Sequence, residues 1–398
     1  MSTLPPPKNP RIPKVGLYSN PFAAYAIGFT VALMLYSLKL SDLYPDLSTE
    51  LVFFLLTTIL LCILLAYKTS NIEYKYDLTV QKRKKNLLIF LSINTLFFID
   101  IMYSGAIPLI STLLGGYNYR EFGAPVVHVA YVGLNSFYMA FWFDTYMKGK
   151  QTFFLKLSLL SLSSHLLTMN RGAFTLSLVA ILFIYFSYNK ISSKGAIKTT
   201  ILGLLFIWIF GWFGEIRSSA STTYQGENNI IGKIGQSNQK FDALNLPKEF
   251  FWSYIYISSP LANFQNTINH YQYKSNFAEF VAMELAPDFI SKRLYPDADK
   301  ATGSLITQEL TVSTAFSKAF KLQGWLGSCI VFLYLIFLTI TCVYTLKNTK
   351  YFITALSLLS SASLLLVFSN MLVFTGAILP FYIALLLGVC SRFRITKR

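Results

Sequence analysis

Ten runs of apolar residues constrain this chain more than any motif in it. They fall at 18–38, 50–67, 87–108, 126–147, 153–169, 173–188, 200–214, 324–345, 351–369 and 371–390. Most are close to the roughly 20 residues that cross about 30 Å of hydrocarbon as a helix. In lipid a lone segment satisfies its backbone N–H and C=O groups internally only by being helical. With 54% hydrophobic and only 13% charged residues, the composition belongs to the same class. The expected fold is therefore all-α: a polytopic membrane protein of about ten transmembrane helices.

Charge decides which way these helices run. With the N-terminus inside, the cytoplasmic segments hold Lys8, Arg11 and Lys14, the run from Lys68 to Lys85 containing "QKRKK", and Lys148, Lys150 and Lys156. They also hold Lys190, Lys194 and Lys198, then Lys347 and Lys350, and a tail from Arg392 to Arg398. Most of the 34 basic residues are accounted for in this way, whereas the short outer connections carry only Lys39, Arg120 and Arg171. That bias is the positive-inside rule, and it puts both termini in the cytoplasm. The formal net charge of +16 then reflects topology, and "QKRKK" reads as a lipid-facing patch with no nucleic acid implied. The proline-rich start "MSTLPPPKNPRIPK" lacks the apolar core of a cleavable signal and reads as a cytoplasmic tail. Cys62, Cys329, Cys342 and Cys390 all lie in apolar runs without CxxC spacing, so neither a disulfide framework nor a zinc site is expected.

The chain divides into a tail at 1–17, a seven-helix bundle at 18–214, a large periplasmic loop at 215–323, three further helices at 324–390 and a basic tail at 391–398. Structureless loops as long as the connection between the seventh and eighth runs are uncommon and tend to be functional. Two apolar patches in the loop, "FFWSYIYISSPLANF" and "FAEFVAMELAPDFI", are too short or too interrupted to span, and are expected to form external helices on the membrane surface or over the bundle. No internal repeat is evident, which speaks against an inverted-repeat transporter.

Candidate chemistry gathers on the outer side. In "TMNRGAF", Arg171 sits at the tip of a hairpin between the fifth and sixth runs. Asn170 is placed to cap the next helix and Gly172 to let the backbone turn. A guanidinium beside a helix N-terminus makes an anion site suited to phosphate; the alternative is an Arg that only anchors a helix end. Arg217, in "FGEIRSSAS", follows the seventh run and has Glu215 close by. Arg120, in "GGYNYREFGAPVVH", has Glu121 beside it. Three such arginines would suit a diphosphate. Asp100, inside the third run, is costly to bury and is expected to pair with an arginine or to line a cavity. Asp144 stands one turn before Lys148 and reads as an i,i+4 surface pair. His270 in the long loop is the best-placed histidine for a general base, with Glu279, Glu284 and Glu309 as unranked alternatives. His128 and His165 complete the histidines. With no HExxH or carboxylate-rich motif, neither a metal nor a cofactor is expected. Trp252, Tyr254 and Tyr256 could stack on sugar rings or form an interfacial belt.

Four stretches together resemble the oligosaccharide repeat-unit polymerases of bacterial surface polysaccharide synthesis, the Wzy-type O-antigen polymerases. They are "GGYNYREFGAPVVH", "MNRGAF", "RSSAS" at the head of the long loop, and "STAFSKAFKLQGWLGS" where the chain re-enters the membrane. The Arg-x10-Gly motif that some members carry is not present, since Leu182 and Asn228 stand at that spacing after Arg171 and Arg217. The resemblance implies a metal-independent membrane glycosyltransferase of the bacterial inner membrane, with its active site facing the periplasm. Its substrate would be an undecaprenyl-diphosphate-linked oligosaccharide, and the growing glycan would pass to the next lipid-linked unit. Arg171, Arg217 and His270 would be catalytic, while Arg120, Asn170, Gly172 and Asp100 would bind substrate. A chain-length regulator and a flippase of the same pathway, along with membrane lipid, would be its partners. The rival readings are an O-antigen ligase delivering finished glycan to lipid A, and a lipid-linked oligosaccharide flippase.

Overall fold

The computed structural model describes residues 14–17, 19–74, 81–114, 117–118, 121–189, 203, 208, 230–272, 276–296 and 304–395. Among the described residues the regular elements are all helical, with isolated bridges at Lys14–Glu73 and Ser41–Ser237. The helices of the first part are α1 (Pro21–Ser37), α2 (Thr49–Ser70), α3 (Arg83–Ser104), α4 (Pro108–Leu113), α5 (Val127–Gly149), α6 (Thr152–Leu167) and α7 (Arg171–Tyr188). The long connection carries α8 (Lys248–Asn269), α9 (Phe277–Glu284) and α10 (Asp288–Leu294), and after it come α11 (Ala315–Leu346), α12 (Phe352–Leu364) and α13 (Thr375–Ile395). Among the described residues, five helices are long and apolar enough to cross a membrane: α2, the stretch Arg83–Thr112, α7, α11 and α13. Three shorter apolar helices join them, α1, α6 and the stretch Phe352–Val367. Of the expected seventh run only Gly203 and Trp208 are described, both helical.

Local chemistry sets the helix starts. Asn20, Ser48, Asn170 and Thr314 each accept a backbone N–H with the side chain at the head of their helices. Large apolar residues lie on both faces of the helices. Phe29 on α1 and Trp142 on α5 are fully buried, whereas Met34 on α1, Phe53 on α2, Met102 on α3 and Phe337 on α11, all more than half exposed, point outward. That outer coat would drive aggregation in water and is what lipid tails require. Small and hydroxyl residues face inward. On α12, Thr354, Ser357, Ser360, Ser361 and Ser363 are all buried. Ser360, Ser361 and Ser363 donate to carbonyls of their own helix at 2.7–2.8 Å, so these small side chains bring helices close with their own hydroxyls satisfied. The same closeness explains Gly28, where an added Cβ would come within 2.7 Å of the Leu364 carbonyl.

The two ends of the bundle differ in charge. At one end Lys148 donates to the Lys350 carbonyl at 3.3 Å, Arg83 to Gln151 at 3.3 Å and Lys350 to Gln81 at 3.5 Å. At the other end α7 and α13 begin and α12 ends. There Leu176, Ala362 and Ala377 form a small buried cluster, with Met371 and Phe374 packed on it.

The apolar patches of the long connection are helical. The first is the centre of α8, which packs over the bundle against α1 and α11 and carries Pro260 inside it. The second is split by Leu285–Pro287 into α9 and α10, because proline ends one helix and opens the next. The expected start of the eighth run needs correction. The helix begins at Ala315 and bends at Gly324 (φ 61°, ψ −149°), a backbone region open essentially to glycine alone. The apolar run begins at that bend, and the more polar turns before it hold Lys318, Lys321 and Gln323.

Candidate active site

α9 and α10 fold against the break between α12 and α13, and the contact is made by two carboxyls of different character. Asp288 opens α10 and accepts the Thr375 N–H at 2.9 Å and the Thr375 hydroxyl, so it caps the start of α13. Its other oxygen takes Lys292 at 2.8 Å, one turn along its own helix. The Asp288 N–H donates to the Val373 carbonyl at 2.8 Å. Glu284 is the last residue of α9 and is buried. It accepts from the Asn370 side chain twice, at 2.9 Å on the carboxyl Oε2 and at 3.1 Å on its backbone carbonyl. Asn370 is itself fixed because its Oδ1 accepts the Leu372 N–H at 3.2 Å.

These contacts border a cavity of about 450 Å³ that opens to the outside of the protein. Its wall includes Glu284 and Lys318 beside a ring of hydroxyls, Ser291, Thr311, Ser313, Ser317 and Ser369. An aromatic and thioether side is formed by Tyr256, Phe368, Met371 and Phe374, with Tyr256 and Phe368 in ring contact at 5.3 Å. Burial holds the Glu284 carboxyl up at about 7, against the opposing pull of the Asn370 N–H and the Lys318 charge. Such a group exchanges protons near neutral pH, whereas an ordinary carboxyl is fully ionised there.

The structure sorts the expected residues. Asn170 caps α7, its side chain accepting the Ala173 N–H at 3.0 Å. Arg171 is exposed as the first residue of that helix. Gly172 lies against the cavity wall, since a Cβ there would be 3.6 Å from the Phe374 ring. The turn itself is not made by Gly172, which is already helical; Met169 takes the left-handed conformation (φ 53°). Asp100 is fully buried. Among the described residues its partners are the Ala124 N–H at 3.0 Å and His128 at 2.8 Å. His128 is held close to Asp100 by Gly123 (φ 105°), where a Cβ would strike the His128 ring. Asp100 does not line the cavity. Arg120 and Arg217 lie outside the described residues.

His270 is exposed at the C-terminal end of α8, with Nδ1 bonded to the Asn266 carbonyl at 2.9 Å, and it is not part of the cavity wall. Trp252 and Tyr254 are buried with Leu40 and Ile255 in a separate core, so only Tyr256 of the three aromatics reaches the cavity. His165 is buried between α5 and α6, its Nε2 meeting the Ser136 hydroxyl at 3.0 Å. Asp144 forms the expected pair with Lys148 at 2.9 Å, but it is fully buried, not on the surface. Tyr188 and Thr354 also bind it, at 2.5 and 3.2 Å, so it joins α5, α7 and α12.

Sequence reasoning named Glu284 without ranking it, and it named Lys318, Asp288 and Asn370 not at all. For Asn370 and Asp288 the signal lies in contacts 86 and 87 residues apart along the chain, which no local pattern carries. No protein-family model, curated protein or solved structure matches the chain.

Proposed function

We propose that the protein is a membrane glycosyltransferase that polymerises lipid-diphosphate-linked oligosaccharide repeat units. In this reading ten helices span the bacterial inner membrane with both termini inside, and the cavity faces the periplasm. The carrying observation is the cavity itself. It places a buried carboxyl, a lysine and a wall of hydroxyls beside the Arg171 turn, at the end of the bundle away from the Lys148–Lys350 cluster. The basic cluster marks the cytoplasmic end by the positive-inside rule.

The reaction this geometry serves is transfer of a glycan from one lipid diphosphate to a sugar hydroxyl on the next lipid-linked unit. Negative charge grows on the leaving diphosphate as the anomeric carbon becomes oxocarbenium-like. Arg171 at the head of α7 and Lys318 in the cavity wall supply positive charge on that side, reinforced by the positive dipole end of α7. Hydroxyls and the Tyr256–Phe368 face suit a sugar, which offers both polar edges and an apolar ring face.

A gel of surface and lipid-linked glycans from the source bacterium tests the reading. The gene is deleted, then restored as wild type, Arg171→Ala or Arg217→Ala. The expected result is glycan capped at one repeat unit in the deletion strain, with the ladder restored by wild type and by neither variant. Long polymer retained on the lipid diphosphate in the deletion strain would make the protein a ligase instead. Single units trapped on the cytoplasmic face would make it a flippase.

A further inference from the structure

We infer that Glu284 is the group that accepts the proton of the attacking sugar hydroxyl, with Asn370 as its positioning residue and Lys318 as its electrostatic partner; this rests on the polymerase reading above. Three observations converge. Glu284 lines the cavity while its residue is 1% exposed, so it meets a substrate there with little competing water. Its Oε2 is oriented by the Asn370 amide at 2.9 Å, and Asn370 is anchored in turn by the Leu372 N–H. Lys318, from α11, lines the same cavity and acts on it as a positive charge.

The other acids nearby are unsuited to the role. Asp288 already holds the start of α13 and Lys292, and those donors would have to be released before it could take a proton. Glu279 and Glu309 are outside the cavity wall.

The step balances as follows in atoms and electrons. The acceptor O–H bond breaks and its proton passes to a carboxylate oxygen of Glu284. The freed electron pair on the acceptor oxygen forms the new bond to the anomeric carbon of the donor sugar. The old bond from that carbon to the diphosphate oxygen breaks, and its electron pair leaves on the lipid diphosphate. Protonation of Glu284 also removes the negative partner of Lys318 at the moment when negative charge appears on the leaving group. The charged and titratable groups facing Glu284 across the cavity are Lys318 from α11, Asp288 and Lys292 from α10, and Tyr256 from α8.

Membrane vesicles from the deletion strain, each carrying one variant, are supplied with lipid-linked single units extracted from that strain. Elongation per molecule of protein is then read against pH. With wild type the rate should rise through a midpoint near 7, because the base acts only when ionised. Glu284→Gln should lower the rate by about 100-fold or more, and the limb near pH 7 should vanish. Asn370→Ala should move the midpoint upward, since the lost N–H had favoured the carboxylate. Glu284→Asp keeps the acid but withdraws it by one methylene, and should lose rate while retaining a shifted limb. If Glu284→Gln is absent from the membrane, the Asn370→Ala shift and the Glu284→Asp loss decide the matter. Elongation by Glu284→Gln within about threefold of wild type, or an Asn370→Ala profile that overlays wild type, overturns the assignment. A wild-type protein that elongates nothing removes the polymerase reading itself.

Discussion

Asp144 and Glu284 are both buried carboxyl residues on helices of this bundle, yet their surroundings are opposite. Asp144 is saturated: Lys148, Tyr188 and Thr354 all reach it, from three helices, and it does not line the cavity. Glu284 has Asn370 on one oxygen, the influence of Lys318, and a cavity of about 450 Å³ in front of it. A carboxyl with a full set of partners from several helices serves to hold those helices together. One that is under-supplied with donors and set against a cavity keeps a proton within reach of neutral pH, which is what acid–base chemistry needs. The difference lies in the neighbours that the fold brings to each acid, since both stand in apolar stretches of sequence.

Substitutions can break or sharpen this contrast. Asp144→Ala should cost the most stability, about 3–5 kcal/mol, because it strands Lys148 in a buried site. The loss should appear as a lower melting temperature in detergent and less protein in the membrane, with the rate per surviving molecule retained. If that rate falls as it does for Glu284→Gln, Asp144 is no mere tie between helices. Arg171→Ala should come next, costing about 100- to 1000-fold in chain growth while insertion and melting stay near wild type. Gly324→Ala should cost about 1–3 kcal/mol. The nearest atom to its Cβ is 3.6 Å away, so the penalty would come from the backbone conformation and not from crowding. His270→Ala should change elongation by less than about twofold, given its exposed position outside the cavity wall. A tenfold loss there would return the histidine to the site.

Much of the fold was legible because lipid imposes one rule on every spanning segment. Runs of apolar residues at 50–67, 126–147, 153–169 and 173–188 reappear as α2, α5, α6 and α7 with ends moved by a few residues. The rule fails where a helix is not apolar along its length. Ala315–Gln323 is helical but carries Lys318 and Lys321, and only the bend at Gly324 separates it from the run that follows. In the site, the Asn170 cap could be read from residue type and position, since capping is a local interaction. Asp144 was half legible: Lys148 lies four residues away, but Tyr188 and Thr354 are 44 and 210 residues distant. Glu284 could be named and not ranked, because its burial is created by a break in the chain 86 residues later. His128 could be seen as an outer histidine, but its partnership with Asp100 arises from the turn at Gly123.

The most direct test of the central claim uses purified protein and lipid-linked single repeat units extracted from the deletion strain, with product length and released lipid diphosphate followed together. The account predicts a growing ladder, one lipid diphosphate released for each unit added, and neither product from folded Glu284→Gln. Folded wild-type protein that leaves the single units unextended would contradict it.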